Sequence, residues 1–261
     1  PQSISKNLIN EIKEITRLIT INLKIVGFIN IQFAIKDEKI FVIEVNPRAS
    51  RTVPFISKAL GIPLANIATK LMLGIPLKKF NLREEQIDYV CVKESVFPFD
   101  RFPGEDIILG PEMKSTGEVM GIEKNFPSAF LKSQIAAGNK LPRKGSVFIS
   151  VRDRDKENII LMSQILERLN FKIFATKGTT DFLRKNAIKV KQVKKVNDGS
   201  PHIVDLIENN NIDLIINTTS GQKSIADSLS IRRSAIRNKI PYFTTISAAK
   251  VAISGLNIIA K

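Results

Sequence analysis

A stripe of oxygen-bearing side chains on two apolar, strand-like segments is the part of the sequence best suited to bind a cation. Residues 27–36 and 40–46 alternate between apolar and polar side chains, so each segment has one polar face. Together these faces carry Asn30, Gln32, Glu44 and Asn46. A carboxylate with amide oxygens is a donor set that Mg²⁺ uses together with phosphate oxygens. The stripe therefore predicts a site for a divalent cation and its phosphate partner.

The loop between the two segments decides whether these oxygens meet. Residues directly opposite each other in an antiparallel pair point to the same side of the sheet. We expect Lys36 to pair with Ile40 across a three-residue loop, which brings Gln32 beside Glu44 and aligns the two asparagines of the stripe. A two-residue loop would set Ile31 against Glu44, which the alternation disfavours.

Two arginines follow the stripe directly. The guanidinium groups of Arg48 and Arg51 could hold a phosphoryl group while it is transferred. A plainer interpretation fits the spacing equally well, because a solvated hairpin face can carry one acid without binding a ligand. Spacing alone leaves both interpretations open.

The residues around the stripe are similar to a known family. FVIEVNPRASRTVPF at 41–55 resembles the metal strand of ATP-grasp enzymes, in the form found in carbamoyl phosphate synthetase large subunits. The resemblance continues in order through SKALGIPL at 57–64, VKES at 92–95 and LGPEMKSTGEVMG at 109–121. It covers essentially the whole chain, which we therefore expect to be the C-terminal part of such a subunit.

This resemblance implies the synthetase half that phosphorylates carbamate with ATP, in arginine and pyrimidine biosynthesis. It implies that Glu44 bridges two Mg²⁺ or Mn²⁺ ions and that Gln32 and Asn46 complete the ligand shell. Arg48 and Arg51 are then the catalytic side chains that steady the phosphate groups. K⁺ is a further cofactor that the resemblance implies. Positioning and charge neutralisation supply most of the catalysis in such phosphoryl transfers.

Other parts of the synthetase are expected outside this sequence. They are the upstream ATP-grasp lobe with its adenine pocket and glycine-rich lid, the first synthetase half, and the contacts to a small glutamine amidotransferase subunit. The sequence starts at Pro1 within a helical pattern, so we expect a downstream piece of a longer protein. That piece by itself is not expected to turn over ATP.

Strand ends in the second half of the sequence carry small hydroxyls, an amide and lysines that suit an anion. The segment 176–180, TKGTT, joins a strand to a helix, where Gly178 permits a tight turn and the helix N-terminus offers donors. A plain turn capped by threonine is the alternative. Further polar residues stand at three other strand ends: Ser150, Lys156, Lys195 and the NTTSG segment at 217–221. Together they predict a phosphate pocket at the carboxyl ends of parallel strands.

This half resembles the methylglyoxal-synthase-like regulatory domain that closes the same large subunits. The resemblance implies a site for nucleotide effectors such as UMP or IMP, lined by Ser150, Lys156, Thr176, Thr179, Lys195, Asn217 and Thr219. It matches an ornithine-type effector site to Glu94, Tyr242 and Thr244. Glu94 could equally be an ordinary surface acid.

Lyase chemistry of the stand-alone enzymes with this fold is not expected. Those enzymes need an Asp in a Gly-Gly-Asp segment, and the comparable stretch 199–201 is Gly-Ser-Pro, with Asp198 and Asp205 out of register. His202 starts a helical pattern and is expected to pack or cap rather than to act as a base. Binding is therefore favoured over lyase catalysis.

Strand and helix patterns must position these residues. Before residue 142 they predict the strand pair, further strands within 89–121, and helices at 4–23, 52–60, 63–71 and 126–137. After it they predict strands at 146–151, 171–176, 189–196, 212–218 and 242–245, and helices at 155–170, 179–186, 202–210, 224–239 and 247–256.

The patterns predict an α/β protein of two domains joined by a breaker-rich linker at 137–145. We expect a partial ATP-grasp α+β lobe over residues 1–142. A doubly wound parallel sheet of the methylglyoxal-synthase-like type is expected over residues 143–261.

The net charge of the chain bears on which partners it could bind. The 261 residues carry 40 Lys and Arg against 25 Asp and Glu, and +11 of the net charge of +15 falls in residues 143–261. A whole-chain bias toward Ile, Lys and Asn explains this better than a polyanionic partner. With no Trp and two Tyr, the sequence lacks the aromatic residues that stack bases, so nucleic-acid binding is not expected.

Cysteine and hydropathy exclude further classes. Cys91 is the one cysteine and His202 the one histidine, which excludes a disulfide framework and a structural zinc site. Cys91 is expected to be a buried, inert thiol. No apolar run reaches the roughly 18–20 residues of a membrane-spanning helix. A cytoplasmic protein is expected, and the resemblance to the large subunits implies oligomers of large chains. A regulatory nucleotide-binding module without catalysis of its own is the alternative function.

Overall fold

The computed structural model describes residues 4–83, 87–99, 107–108, 114–219, 225–226 and 228–260. The chain forms two compact units, residues 1–87 and 88–261. Several predictions lie outside the described residues: the chain start, the LGPEM part of the 109–121 segment, the last two residues of NTTSG, and the predicted helix start at 224. In the part of the chain that the structure describes, no helix is long and apolar enough to cross a membrane.

The first unit contains three helices and one hairpin among its described residues. The elements are α1 Lys6–Asn22, β1 Asn30–Lys36, β2 Lys39–Asn46, α2 Thr52–Leu60, α3 Leu64–Met72 and a short 3₁₀ helix Leu77–Phe80. The helix predictions are confirmed within one or two residues at each end.

Local signals explain the helix ends in this unit. The Ser5 side chain accepts a hydrogen bond from the backbone N–H of Leu8 at 3.3 Å and so caps the start of α1. At the end of α2, Gly61 adopts the left-handed conformation with φ of 67°. A side chain at that position would be strained, which makes glycine the natural terminator.

Little of the first unit is buried. Among its described residues, the buried apolar side chains are Ala59, Ile67 and Ala68. No residue of α1 is buried. Large apolar side chains remain exposed, including Ile21, Ile43, Met72 and Leu73. Tertiary packing therefore contributes little to the stability of this unit by itself.

The second unit contains an antiparallel hairpin and a parallel sheet. The hairpin strands are β3 Val90–Val96 and β4 Gly117–Glu123, followed by α4 Phe126–Ala136. The sheet region contains, in chain order, β5 Gly145–Ser150, α5 Lys156–Arg168, β6 Phe171–Ala175, α6 Lys177–Lys185, β7 Lys191–Gln192, α7 Ile203–Glu208, β8 Leu214–Asn217, α8 Leu229–Arg237, β9 Tyr242–Phe243 and α9 Ile246–Ile259.

The parallel sheet has the strand order β7-β6-β5-β8-β9. Alternate residues of its central strands belong to two separate apolar clusters. On β5, Val147 and Ile149 pack in one cluster and Phe148 in the other, and Ile215 of β8 is likewise separated from Ile216. Because the two faces of the sheet bury different clusters, helices cover both faces. The predicted doubly wound parallel sheet is confirmed.

The predicted strand over 189–196 is too long. The structure pairs only Lys191 and Gln192 with β6, although the backbone N–H of Val193 still donates to Ala175 O at 2.8 Å. This strand lies at the edge of the sheet, and its lysines are exposed. Short, lysine-bearing edge strands are a common way to prevent pairing with other chains.

Helix α4 packs closely against β4 and also against α9. A Cβ atom on Gly121 of β4 would overlap the carbonyl oxygen of Ala129 in α4. A Cβ atom on Gly255 of α9 would lie 2.7 Å from Pro127 O, also in α4. These close approaches explain why residues 88–142 form one compact unit with the parallel sheet. The division of the sequence at residue 142 stays a prediction.

Candidate functional site

The β1–β2 hairpin has the predicted pairing of Gln32 with Glu44, but its turn is shorter than predicted. Gln32 pairs with Glu44, as expected, but Lys36 pairs with Lys39 across a two-residue turn. The predicted three-residue loop is therefore wrong. The turn residues Asp37 and Glu38 both have positive φ, 51° and 58°, which is the type I′ geometry that matches strand twist.

A bulge compensates for the shorter turn. Gln32 pairs with Glu44 but its neighbour Phe33 pairs with Val42, so Ile43 is the extra residue on β2. The irregularity restores the register that a two-residue loop would otherwise shift by one. Two amino acids change faces as a result, and the predicted apolar face of β2 is wrong there. Val42 opposes Phe33 on the apolar face, whereas Phe41 opposes Ala34 on the polar face.

The amide nitrogens of two predicted ligands, Gln32 and Asn46, both donate to one carboxylate oxygen of the third, Glu44. Gln32 Nε2 donates to Glu44 Oε1 at 2.8 Å, and Asn46 Nδ2 donates to the same oxygen at 2.6 Å. The side chains of Gln32 and Glu44 are exposed and Asn46 is half-buried. Three oxygen-bearing groups thus stand side by side on an accessible face of the hairpin, where an approaching cation could reach them.

The donor set of this cluster suits a hard cation. Among the residues that the structure describes, no group of three or more His, Cys, Asp and Glu could hold a metal ion. A cation at the hairpin would therefore depend on one carboxylate, Glu44, and on the amide oxygens of Gln32 and Asn46. Mg²⁺ accepts such sparse protein ligation because phosphate oxygens and water complete its shell.

The two arginines predicted to be catalytic follow the cluster on an exposed turn. Arg48 Nη1 donates to Ala49 O at 3.1 Å, and the Arg48 backbone N–H donates to Asn46 O at 2.8 Å. Arg51 is exposed at the N-cap position of α2. Both guanidinium groups are therefore accessible to an anionic ligand.

The second candidate site lies at the carboxyl ends of the parallel strands. Ser150 Oγ and Thr176 Oγ1 are 3.2 Å apart, which joins the ends of β5 and β6. Thr179 Oγ1 accepts from the backbone N–H of Val151 at 3.5 Å. Ser150 also pairs in register with Asn217 at the end of β8. The structure thus brings four predicted nucleotide-site residues together along one edge of the sheet.

A lysine lies beside the turn that leads into α6. Lys156 Nζ is 3.7 Å from the place where a Cβ atom on Gly178 would sit, which is an ordinary contact distance, so the ammonium group lies beside this turn. The same Nζ lies 2.7 Å from Asp153 Oδ1. The hydrogen bond from Lys156 lowers the pKa of Asp153. Because the Asp153 side chain is 94% exposed, a bound anion could replace it at small cost.

Arg152 is a site residue that the sequence interpretation missed. Its backbone N–H donates to Thr218 Oγ1 at 3.2 Å and its Nη1 donates to Thr219 O at 3.3 Å. Its Nε donates to Asp155 Oδ2 at 2.6 Å. Arg152 therefore ties the end of β5 to the segment after β8. The position directly after a strand that carries Ser150 was the signal that could have revealed it.

Three predicted effector residues lie in less constrained places. Lys195 is exposed after β7, and its backbone N–H donates to Asp198 Oδ2 at 3.1 Å. Thr219 is half-buried, and Thr244 is exposed between β9 and α9. The assignment of these three side chains to effector sites stays a prediction.

Glu94 is more than a surface acid. It lies on β3, opposite Val119, and is half-buried. Burial raises the pKa of the Glu94 carboxyl, and a hydrogen bond from the Gln134 side chain opposes part of that rise. Gln134 Oε1 in turn accepts from Asn139 Nδ2 at 3.0 Å. The grouping of Glu94 with Tyr242 and Thr244 stays a prediction.

The histidine caps a helix, as expected. His202 Nδ1 accepts from the backbone N–H of Asp205 at 3.4 Å, and Asp205 Oδ2 accepts from the His202 backbone N–H at 2.7 Å. That backbone hydrogen bond, followed by one from the Ser200 hydroxyl, lowers the pKa of Asp205. With its Nδ1 and its partner engaged in this cap, His202 has a structural role at the start of α7.

The thiol is only partly covered. Cys91 on β3 is half-buried, whereas complete burial was expected. Burial raises the pKa of the Cys91 thiol. Since the thiolate is the reactive form, this direction agrees with an inert side chain.

Two sequence families match the chain. Residues 1–80 match the family described as carbamoyl-phosphate synthase L chain, ATP binding domain. Residues 158–244 match the MGS-like domain family. The hairpin cluster falls in the first match, and most of the strand-end residues fall in the second.

Curated relatives extend the similarity over nearly the whole chain. The carbamoyl phosphate synthase large chain of Methanobrevibacter smithii is 48% identical over 262 residues, covering 99% of this chain and 25% of the relative. That of Myxococcus xanthus is 49% identical, covering 98% and 24%. The large chain, C-terminal section, of Aquifex aeolicus is 45% identical, covering 100% and 52%. The chain thus spans a quarter to a half of the length of these relatives.

A solved structure was also found. Methylglyoxal synthase from Elizabethkingia anophelis has 17% sequence identity and a TM-score of 0.36, covering 44% of this chain and 80% of that one.

Proposed function

The chain belongs to the carbamoyl phosphate synthase large-chain family. We therefore propose that it supplies two parts of such a synthase. One is the β1–β2 hairpin with its Gln32, Glu44 and Asn46 cluster, which we call the metal hairpin, and the other is the effector domain. The reaction would be the ATP-dependent phosphorylation of carbamate to carbamoyl phosphate. The observation that carries the proposal is the convergence of Gln32 and Asn46 on Glu44.

The chemistry of these residues supports a phosphoryl transfer. Mg²⁺ or Mn²⁺ held at Glu44, Gln32 and Asn46 would neutralise charge on the phosphate oxygens when bound. Arg48 and Arg51, on the exposed turn that follows the cluster, would bind the transferred group. No covalent step by a protein side chain is needed, because positioning and charge neutralisation dominate such reactions.

We further propose that the strand ends of the parallel sheet bind a nucleotide effector such as UMP or IMP. Lys156 and the N-terminus of α6 would bind the phosphate. Polar contacts to the phosphate and the sugar would come from Ser150, Thr176, Thr179 and Asn217. Lys195 and Thr219 would lie at the rim of the site. An ornithine-type effector would bind at Glu94, Tyr242 and Thr244.

The wider assembly follows from the family. We propose a small glutamine amidotransferase subunit as partner, oligomers of large chains, and a cytoplasmic role in arginine and pyrimidine biosynthesis. K⁺ would be a further cofactor of the intact enzyme.

A chimera tests the catalytic part of this proposal. This chain would replace the matching half of the Aquifex aeolicus C-terminal section, to which it is 45% identical. We expect the assembled enzyme to form carbamoyl phosphate from ATP, bicarbonate and ammonia. In the chimera, Glu44→Gln should lower kcat more than a hundredfold, whereas Glu38→Gln in the exposed turn should leave it unchanged. A folded chimera with no activity, or an active Glu44→Gln enzyme, would contradict the proposal.

A further inference from the structure

We propose that Tyr242 is a positioning residue of the nucleotide-effector pocket, because its hydroxyl holds the Asn217 amide in the orientation that binds the effector. This role differs from the amino-acid effector site to which Tyr242 is matched above. It deepens the proposed effector function and rests on it.

The contact between the two side chains is short and sheltered. Asn217 Nδ2 donates to the Tyr242 hydroxyl oxygen at 2.6 Å. Asn217 is the last residue of β8 and only 3% exposed. A buried amide keeps a hydrogen-bond partner because water is not available to replace it. The tyrosine hydroxyl therefore restricts how the amide can turn.

Sheet register explains how a neighbouring strand supplies this hydroxyl. In the parallel pair of β8 and β9, Tyr242 lies opposite Ile215. Asn217 is two residues further along, a distance of about 6–7 Å at the usual rise per residue. A tyrosine side chain is long enough to span that distance, and a phenylalanine there would reach it without the hydroxyl. Tyr242 thus bridges from the body of the sheet to its ligand-binding edge.

On its other side, Asn217 faces the rest of the pocket. It pairs in register with Ser150 on β5. Ser150 Oγ lies 3.2 Å from Thr176 Oγ1 at the N-cap of α6. Polar side chains therefore line the ends of β6, β5, β8 and β9 in sequence, and the Tyr242 hydroxyl is the member nearest the β9 edge. Loss of that hydroxyl would leave the Asn217 amide free to turn away from a ligand.

Calorimetric titration of the 261-residue chain with UMP and with IMP tests this role. The variants are Tyr242→Phe, Asn217→Ala and the double variant. Tyr89→Phe removes the hydroxyl of the other tyrosine in the chain and is the matched control. We expect Tyr242→Phe to weaken nucleotide binding at least fivefold and Tyr89→Phe to have no effect. The double variant should bind no more weakly than Asn217→Ala, because the tyrosine acts through the asparagine.

The outcomes separate this inference from the effector function itself. If the unmodified chain binds neither nucleotide, the effector function fails. If it binds one of them and Tyr242→Phe binds equally well, the positioning role is wrong. Additive losses in the double variant would also overturn it, since they would mean that Tyr242 contributes independently of Asn217. Thermal melting of each variant separates a binding defect from a general loss of stability.

Discussion

The carbonyl oxygen of Ala129 in α4 occupies the space where a side chain on Gly121 of β4 would begin. The backbone nitrogen of Ser133 lies only 2.6 Å from the position that a Cβ atom on Gly121 would take. Backbone atoms of a packed helix cannot move aside as a flexible side chain can. The β3–β4 hairpin therefore lies against α4 at a separation that only glycine permits.

Gly121→Ala should destabilise the chain by about 1–3 kcal/mol, since a methyl group forces the hairpin and helix apart. Gly117→Ala on the same strand is the matched control, because nothing lies within 4 Å of its Cβ position. Urea unfolding of the two variants measures the difference. Equal midpoints for Gly121→Ala and Gly117→Ala would show that the contact is not restrictive.

Glu44→Gln should weaken Mn²⁺ binding to the chain at least tenfold, because Glu44 supplies the one carboxylate of the hairpin cluster. Glu38→Gln, which removes an exposed carboxylate in the turn of the same hairpin, should leave Mn²⁺ affinity within twofold of the unmodified value. Electron paramagnetic resonance of free Mn²⁺ gives both affinities. Weaker Mn²⁺ binding by the Glu38→Gln variant would indicate that surface charge attracts the ion nonspecifically.

The raised pKa of Glu94 predicts a pH dependence of stability. An acid whose folded-state pKa is raised stabilises the fold below its ordinary pKa, and that contribution is lost as pH rises through the folded-state pKa. Glu94→Gln should therefore raise the melting temperature at pH 7 and flatten its decrease between about pH 4 and 7. Glu157→Gln, at an exposed position on α5, is the control. Identical pH profiles for Glu94→Gln and the unmodified chain would contradict this.

Asp205 predicts a dependence of the opposite sign. Its pKa is lowered, so its contribution to stability is present above its ordinary pKa and is lost as pH falls through the folded-state value. Asp205→Ala should lower the melting temperature at pH 7 by about 2 °C, because it removes one half of the cap on α7. The difference from the unmodified chain should be smaller near pH 3 than at pH 7, because protonation of Asp205 removes this contribution. Asp181→Ala, exposed on α6, should melt unchanged at both pH values.

The 261-residue chain by itself should release no ADP from ATP in the presence of bicarbonate. Its first unit buries only three apolar side chains among the described residues, so the metal hairpin lacks the water-excluding surroundings that phosphoryl transfer needs. A coupled assay for ADP with a limit far below one turnover per hour is the measurement. Release that Glu44→Gln abolishes would show that the chain is a complete kinase.

Much of the fold is predictable because its signals are local. Gly61 ends α2 where the sequence indicates, and the strand and helix alternation after residue 143 gives the doubly wound sheet. The pairing of Gln32 with Glu44 is also predicted, although the two-residue turn and the bulge that produce it are not. These features depend on the periodicity of apolar residues within short segments and on the conformational freedom of glycine. Both can be recognised in the sequence without knowledge of contacts between distant segments.

The remaining features depend on contacts between distant segments. The turn at Asp37 and Glu38 has the type I′ conformation without the Asn-Gly pair that signals it. The bulge at Ile43 is visible only once both strands are paired. Arg152 was missed because its partners Thr218 and Thr219 lie more than sixty residues away in the sequence. Such contacts need three-dimensional structure.

The sparse core of the first unit has a consequence for calorimetry. The heat capacity increment of unfolding follows the apolar surface that becomes exposed, and the described residues of the first unit bury few apolar side chains. The heat-capacity step of unfolding will therefore come mainly from residues 88–261. Substitutions in the metal hairpin will leave that step nearly unchanged even when they abolish ligation.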